Sequence, residues 1–98
     1  MPIDTPPHDA PLIEVTLPPA LLRLFPEAPP ALGVRAASVR ELLDALDERW
    51  PGMRDRLADE TPSIRRHINI FVEGRRSRLE TPLSPGAKVF IITAISGG

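Results

Sequence analysis

Ser38 and Glu41 stand at the head of a segment in which Val39, Leu42, Leu43, Leu46 and Trp50 recur at helical spacing. A hydroxyl residue followed three positions later by a glutamate is a capping box, which satisfies amide donors left open in the first helical turn. Arg40, Asp44, Asp47 and Glu48 fall on the opposite face, and Pro51-Gly52 ends the run. The spacing predicts a helix over 38–50 with one apolar stripe, and such a stripe has to be covered by another element.

The cover comes from strands. In Leu12 to Leu17 the apolar Ile13, Val15 and Leu17 alternate with Glu14 and Thr16, the period of a half-buried strand that ends at Pro18-Pro19. Ala20 to Phe25 reads as one short helical turn, and Ala31 to Ala36 as a second strand returning antiparallel to the first. After the long helix, Met53, Leu57 and Ala58 mark a short second helix, followed by an acidic loop to Pro62. His67 to Val72 is a strand with Ile68, Ile70 and Val72 inward and Asn69 and Phe71 outward. Glu73-Gly74-Arg75-Arg76 is a tight turn in which Gly74 is free to take positive φ, and Ser84-Pro85-Gly86 is another. The last strand, Ala87 to Thr93, turns Val89 and Ile91 to one side and Phe90 and Ile92 to the other. Flanking hairpins about one amphipathic helix predict an α+β fold, a mixed sheet of four to five strands with its first and last strands as central parallel neighbours.

Composition narrows the chemistry. Ninety-eight residues fit one domain, and a formal charge of −1 gives no general reason to bind nucleic acid or anionic lipid. There is no cysteine, which excludes disulfides, thiolate catalysis and Cys-based metal sites, and His8 and His67 alone do not build a metal centre. No run approaches the ~18 apolar residues of a membrane span, so the expected compartment is the cytoplasm. Nine of the thirteen prolines lie between Pro2 and Pro30, and residues 1–11 read as a flexible proline-rich arm ahead of a domain over 12–93. Residues 94–98 then form a flexible tail, Ala94-Ile95-Ser96-Gly97-Gly98. Residues without Cβ thread narrow channels, so a terminal diglycine offers its carboxylate to an enzyme with little steric cover.

Several segments together carry a resemblance: Glu48-Arg49-Trp50-Pro51-Gly52 at the helix end, Ile64 to Gly74, Arg78, Leu83-Ser84-Pro85-Gly86 before the last strand, and Gly97-Gly98. In this order and spacing the chain from Leu12 to Gly98 resembles the MoaD/ThiS family of ubiquitin-like sulfur carriers, of β-grasp fold, nearest the MoaD-like branch that includes the carrier for a cysteine synthase. The resemblance implies that Gly98 is adenylated by an ATP-dependent, MoeB/ThiF-like activating enzyme and converted to a thiocarboxylate, with Gly97 as its required neighbour. It also implies a sulfur donor such as a rhodanese-like sulfurtransferase, and a receiving enzyme in cysteine, molybdopterin or thiamine biosynthesis. Many relatives carry proline where Thr93 or Ala94 stands here, so this tail is expected to leave the sheet less rigidly.

The residues fit that chemistry. An α-carboxyl group titrates at about 3.3–3.7, so Gly98 is ionised near neutral pH and is a poor electrophile until its oxygen is made a good leaving group. No phosphate-cradling loop is present, so the ATP is used by the partner, the chain binds no cofactor, and it is expected to be a co-substrate and not an enzyme. Extended, the five tail residues reach roughly 16 Å at ~3.3 Å per residue, enough to enter an active-site channel. Phe71, Phe90 and Ile92 on the outer sheet face, with Ile95 in the tail, are the expected partner contacts, joined by Arg78, which matches an arginine common in the family; Ser96 belongs to the tail and, with no local base, is no nucleophile. Against these stand plainer readings: Ala20 to Phe25 or the N-terminal arm covers Phe90 and Ile92, Arg65-Arg66 and Arg75 to Arg78, candidates to meet phosphates or an acidic partner, are solvated turn residues, and His67 is structural. Asp44, Asp47 and Glu48 read as a solvated helix face. Two other functions share the adenylation step or the tail: a protein modifier joined through Gly98 to target lysines, and a small subunit of a molybdopterin-synthase-like complex.

Overall fold

The computed structural model describes residues 10–61 and 63–93. The elements run β1 (Leu12–Thr16), α1 (Pro19–Leu24), β2 (Ala31–Arg35), α2 (Val39–Arg49), α3 (Met53–Leu57), β3 (Ile68–Val72), β4 (Arg75–Arg76) and β5 (Lys88–Thr93). The five strands form one sheet in the order β2-β1-β5-β3-β4. β1 and β5 are parallel and central, with Thr16 opposite Phe90, and every other pairing is antiparallel. This is the β-grasp arrangement: two hairpin-like edges joined through a helix that packs on one face of the sheet.

The core lies between that face and α2. Ile13 and Val15 from β1, Ile70 from β3, and Val89 and Ile91 from β5 meet Val39, Leu42, Leu43 and Leu46 of α2, all essentially inaccessible to water. Burying each such side chain is worth about 1.5–3 kcal/mol relative to exposure. The alternation read from β1 and β5 therefore decides which face of the sheet is dry.

The helix start is tied down more thoroughly than a capping box requires. Ser38 Oγ accepts the Glu41 N–H at 3.2 Å, while Glu41 Oε1 accepts the Ala37 N–H, one residue earlier than in the usual box. The Val39 and Arg40 amides donate to the carbonyls of Thr81 and Leu79, so the loop ahead of β5 closes the open end of α2. At the other end Trp50 caps the helix through its N–H on the Leu46 carbonyl.

Arg75-Arg76 pair with β3 as the short β4 and do not belong to the expected turn, and two further features depart from the sequence reading. Asp47 is not merely solvated: its Oδ1 accepts the N–H groups of Gly52 at 3.0 Å and Arg54 at 3.1 Å, holding α3 against α2. In the β3–β4 hairpin the two loop residues both take positive φ, Glu73 at 51° and Gly74 at 82°. A two-residue loop with positive φ at both positions matches the strand twist, and here it is built with a glutamate where asparagine, aspartate or glycine is usual. That glutamate is bound on both sides, its Oε2 accepting the Lys88 N–H and its own N–H donating to the Lys88 carbonyl. At the other end of the chain, residues 1–9 of the expected arm lie outside the described residues. Ala10 is already buried, and Pro11 accepts the Ala36 N–H.

Candidate functional site

The outer face of the sheet carries the candidate contacts. Alternation puts Leu12, Glu14 and Thr16 of β1 and Lys88, Phe90 and Ile92 of β5 on the side away from α2. Register then sets neighbours: Phe90 lies between Thr16 and Phe71, and Ile92 opposite Asn69. Phe90 and Ile92 are 43% and 44% exposed, and Phe71 is half-buried, so α1 does not cover this patch. Glu14 and Lys88 form a polar band that separates it from exposed Leu12, which the sequence reading had not singled out. The apolar patch therefore sits at the end of β5 from which the chain continues beyond Thr93. A cluster of aromatic and branched apolar side chains on an open sheet face is the kind of surface that partners cover.

Gly98, Gly97, Ser96 and Ile95 lie outside the described residues. β5, the strand that leads to them, is held on both sides, by β1 through Thr16 and by β3 as far as the Ile68–Thr93 pair. The root of the tail is thus the central strand of the sheet.

Arg78 is exposed on the turn after β4, where its N–H donates to Thr81 Oγ1. It lines a recess of about 230 Å³ with Ser63, Ile64 and Glu80. The arginine directly opposite Phe71 is Arg76, which the sequence reading left among the turn residues. Only the hairpin register, set by the two-residue loop, distinguishes them. His67 is exposed on the rim of an open recess of about 480 Å³ shared with Gly52, Asp55, Arg56 and Arg65.

In the loop after α3, Asp59 accepts the side-chain hydroxyl and N–H of Thr61 and the N–H of Ser63, and Arg65 lies nearby. The Thr61 hydroxyl, followed by these other groups, holds the Asp59 carboxyl below its ordinary range. This is a local loop clasp. Among the described residues no group of three His, Cys, Asp or Glu is placed to hold a metal ion, and no helix is long and apolar enough to cross a membrane.

A five-stranded β-grasp sheet with an apolar outer patch beside its central last strand defines a ubiquitin-like protein. Residues 28–98 match the ThiS family, and the chain belongs to that family, within the MoaD/ThiS group of ubiquitin-like sulfur carriers. Among solved structures, the chain is similar to that of the Amycolatopsis orientalis BexX/CysO complex, with 27% identity and a TM-score of 0.76 over 88% of this chain and 99% of that one. It shares its fold with Mycobacterium tuberculosis CysO, at 20% identity and a TM-score of 0.76 over 85% of this chain and 99% of that one. SAMP1 from Haloferax volcanii has the same fold, at 23% identity and a TM-score of 0.74 over 89% of this chain and 99% of that one. No curated protein sequence matches the chain significantly.

Proposed function

We propose that this chain carries sulfur on the carboxylate of Gly98. A MoeB/ThiF-like enzyme binds the sheet face and draws the tail into its active site. There the Gly98 carboxylate attacks the α-phosphorus of ATP, releases pyrophosphate and becomes an acyl adenylate. The terminal sulfur of a rhodanese-like donor's persulfide then displaces AMP to give an acyl disulfide, and a second thiol cleaves its S–S bond, which releases the thiocarboxylate and leaves a disulfide on the donor. A receiving enzyme in cysteine, molybdopterin or thiamine biosynthesis takes the sulfur. The chain itself contributes a substrate group and a docking surface.

The observation that carries this reading is the family match over residues 28–98, which includes the diglycine. The lack of cysteine agrees with it, because no thiol is available to hold sulfur as a persulfide. The likeness to the structure of the BexX/CysO complex favours a carrier that works on a separate partner protein. Phe71, Phe90 and Ile92 supply the apolar contact, Ile95 extends it along the tail, and Arg78 makes a polar contact with the partner.

Deletion of Gly98 tests the proposal in a reconstituted reaction with the activating enzyme, ATP and sulfide. The variant keeps its fold and forms no thiocarboxylate. Thiocarboxylate formed at undiminished yield by the deletion variant overturns the reading. Gly98 found in isopeptide linkage to lysines of other proteins, with no thiocarboxylate in the cell, assigns the chain to protein modification instead.

A further inference from the structure

Charge is unevenly distributed along this chain. Residues 63–79 hold Arg65, Arg66, Arg75, Arg76 and Arg78 against Glu73 alone, a local excess of four positive charges in a chain whose formal charge is −1. The ion pairs among the described residues, Arg40 with Glu80 and Arg54 with Asp44, engage none of the five. Arg65 lies near the Asp59 carboxylate, the other four have no ion pair among the described residues, and guanidinium groups clustered in this way repel one another, a cost that an acidic ligand relieves.

The fold gathers three of them about one groove. Arg65 and Arg66, on the loop before β3, and Arg76, on β4, line a recess of about 230 Å³ whose floor includes Ile64 and Asn69. Arg66 and Arg76 are exposed, and the half-buried Arg65 is anchored by its Nε–H on the Asp55 carbonyl, which fixes one guanidinium at the groove wall. Arg76 is also the cross-strand partner of Phe71, which in turn faces Phe90. The groove is therefore continuous with the apolar patch, at the sheet edge away from β1.

We propose that this groove is a second docking site, which takes an acidic segment of the protein that covers the Phe90 face. Guanidinium groups pair with carboxylates through two parallel hydrogen bonds, so two or three aspartates or glutamates fill a recess of this size. The part-apolar floor at Ile64 suits a peptide better than a polyphosphate backbone. A long polyanion would also meet Asp44, Glu48 and Glu60, which are exposed elsewhere on the small domain. The inference builds on the sheet face as a docking surface and is independent of the chemistry at Gly98.

The test uses the full-length chain labelled with ¹⁵N and a synthetic peptide alternating glutamate with leucine. Addition of the peptide shifts the amide and arginine Nε resonances of residues 64–70 and 75–77, with binding that weakens as salt is raised. Arg66→Glu with Arg76→Glu, confirmed folded by its amide spectrum, weakens binding by about tenfold or more, while Arg23→Glu does not. Shifts confined to other surfaces, or unchanged binding by the charge-reversed variant, overturn the proposal. So does a single-stranded oligonucleotide that binds the same groove more tightly than the peptide. Loss of thiocarboxylate chemistry moves none of these readouts, so failure of the functional reading and failure of this one are separable.

Discussion

Asp47→Ala probes the contact that joins the two consecutive helices. The substitution removes the oxygen that accepts the Gly52 and Arg54 N–H groups and frees both amides at the start of α3. Losing a side-chain cap of this kind costs about 0.5–2 kcal/mol, and two donors on one carboxylate place this case in the upper half. Asp47 is half-buried, so water replaces part of what is lost. Alanine is also the better helix former by about 0.5 kcal/mol, which offsets the loss. The net effect is a destabilisation of about 1 kcal/mol, or about 4–8 °C in melting temperature for a domain of this size. The ion pair between Arg54 and Asp44 joins the same two helices but is largely exposed, and such pairs contribute about 0–1 kcal/mol. The buried part of the contact therefore dominates. Thermal and urea unfolding of Asp47→Ala, Asp47→Asn and Glu48→Ala measure it. Asparagine retains an acceptor oxygen and recovers most of the loss, and exposed Glu48 changes stability by less than about 0.5 kcal/mol. If Asp47→Ala melts together with Glu48→Ala, the reasoning is wrong.

Leu46→Ala, at a position fully closed to water on the core face of α2, costs about 2–5 kcal/mol in urea unfolding; a smaller loss means that the sheet does not pack on this helix. Phe71→Ser with Phe90→Ser keeps a native amide spectrum but lowers kcat/KM for adenylation by about tenfold or more, and unchanged kinetics remove the patch from the docking surface. The Asp59 carboxyl titrates below its unfolded value of 3.8. Its contribution is therefore present above that pH and is lost as pH falls through the folded value. Asp59→Asn is accordingly less stable than the parent near neutral pH, and the two converge in acid; parallel curves across pH 2–7 contradict the loop clasp.

Most of the architecture was legible because it rests on local rules. Alternation in Leu12 to Leu17 and Ala87 to Thr93 named the inward residues correctly, and the stripe from Val39 to Leu46 named the face that covers them. The parallel pairing of β1 with β5 followed from the order of elements around a single long helix. The role of Asp47 was hidden because its partners are amides of Gly52 and Arg54, made available only by the turn after Trp50. Glu73 was hidden for a related reason: its left-handed φ is held by Lys88, fifteen residues away. The apolar patch was readable from Phe71, Phe90 and Ile92. Its continuity with Arg76 was not, because a one-residue change in hairpin register would have placed a different residue opposite Phe71. For the tail, sequence pattern and family membership carry the reading.

The most direct measurement is the intact mass of the protein recovered from its own cells, with the terminal peptide sequenced by fragmentation. A sulfur carrier shows a fraction of molecules in which one oxygen of the Gly98 carboxylate is replaced by sulfur, and the fraction collapses when the activating enzyme is deleted. An unmodified Gly98 in every molecule, under conditions where the dependent pathway is running, contradicts the account.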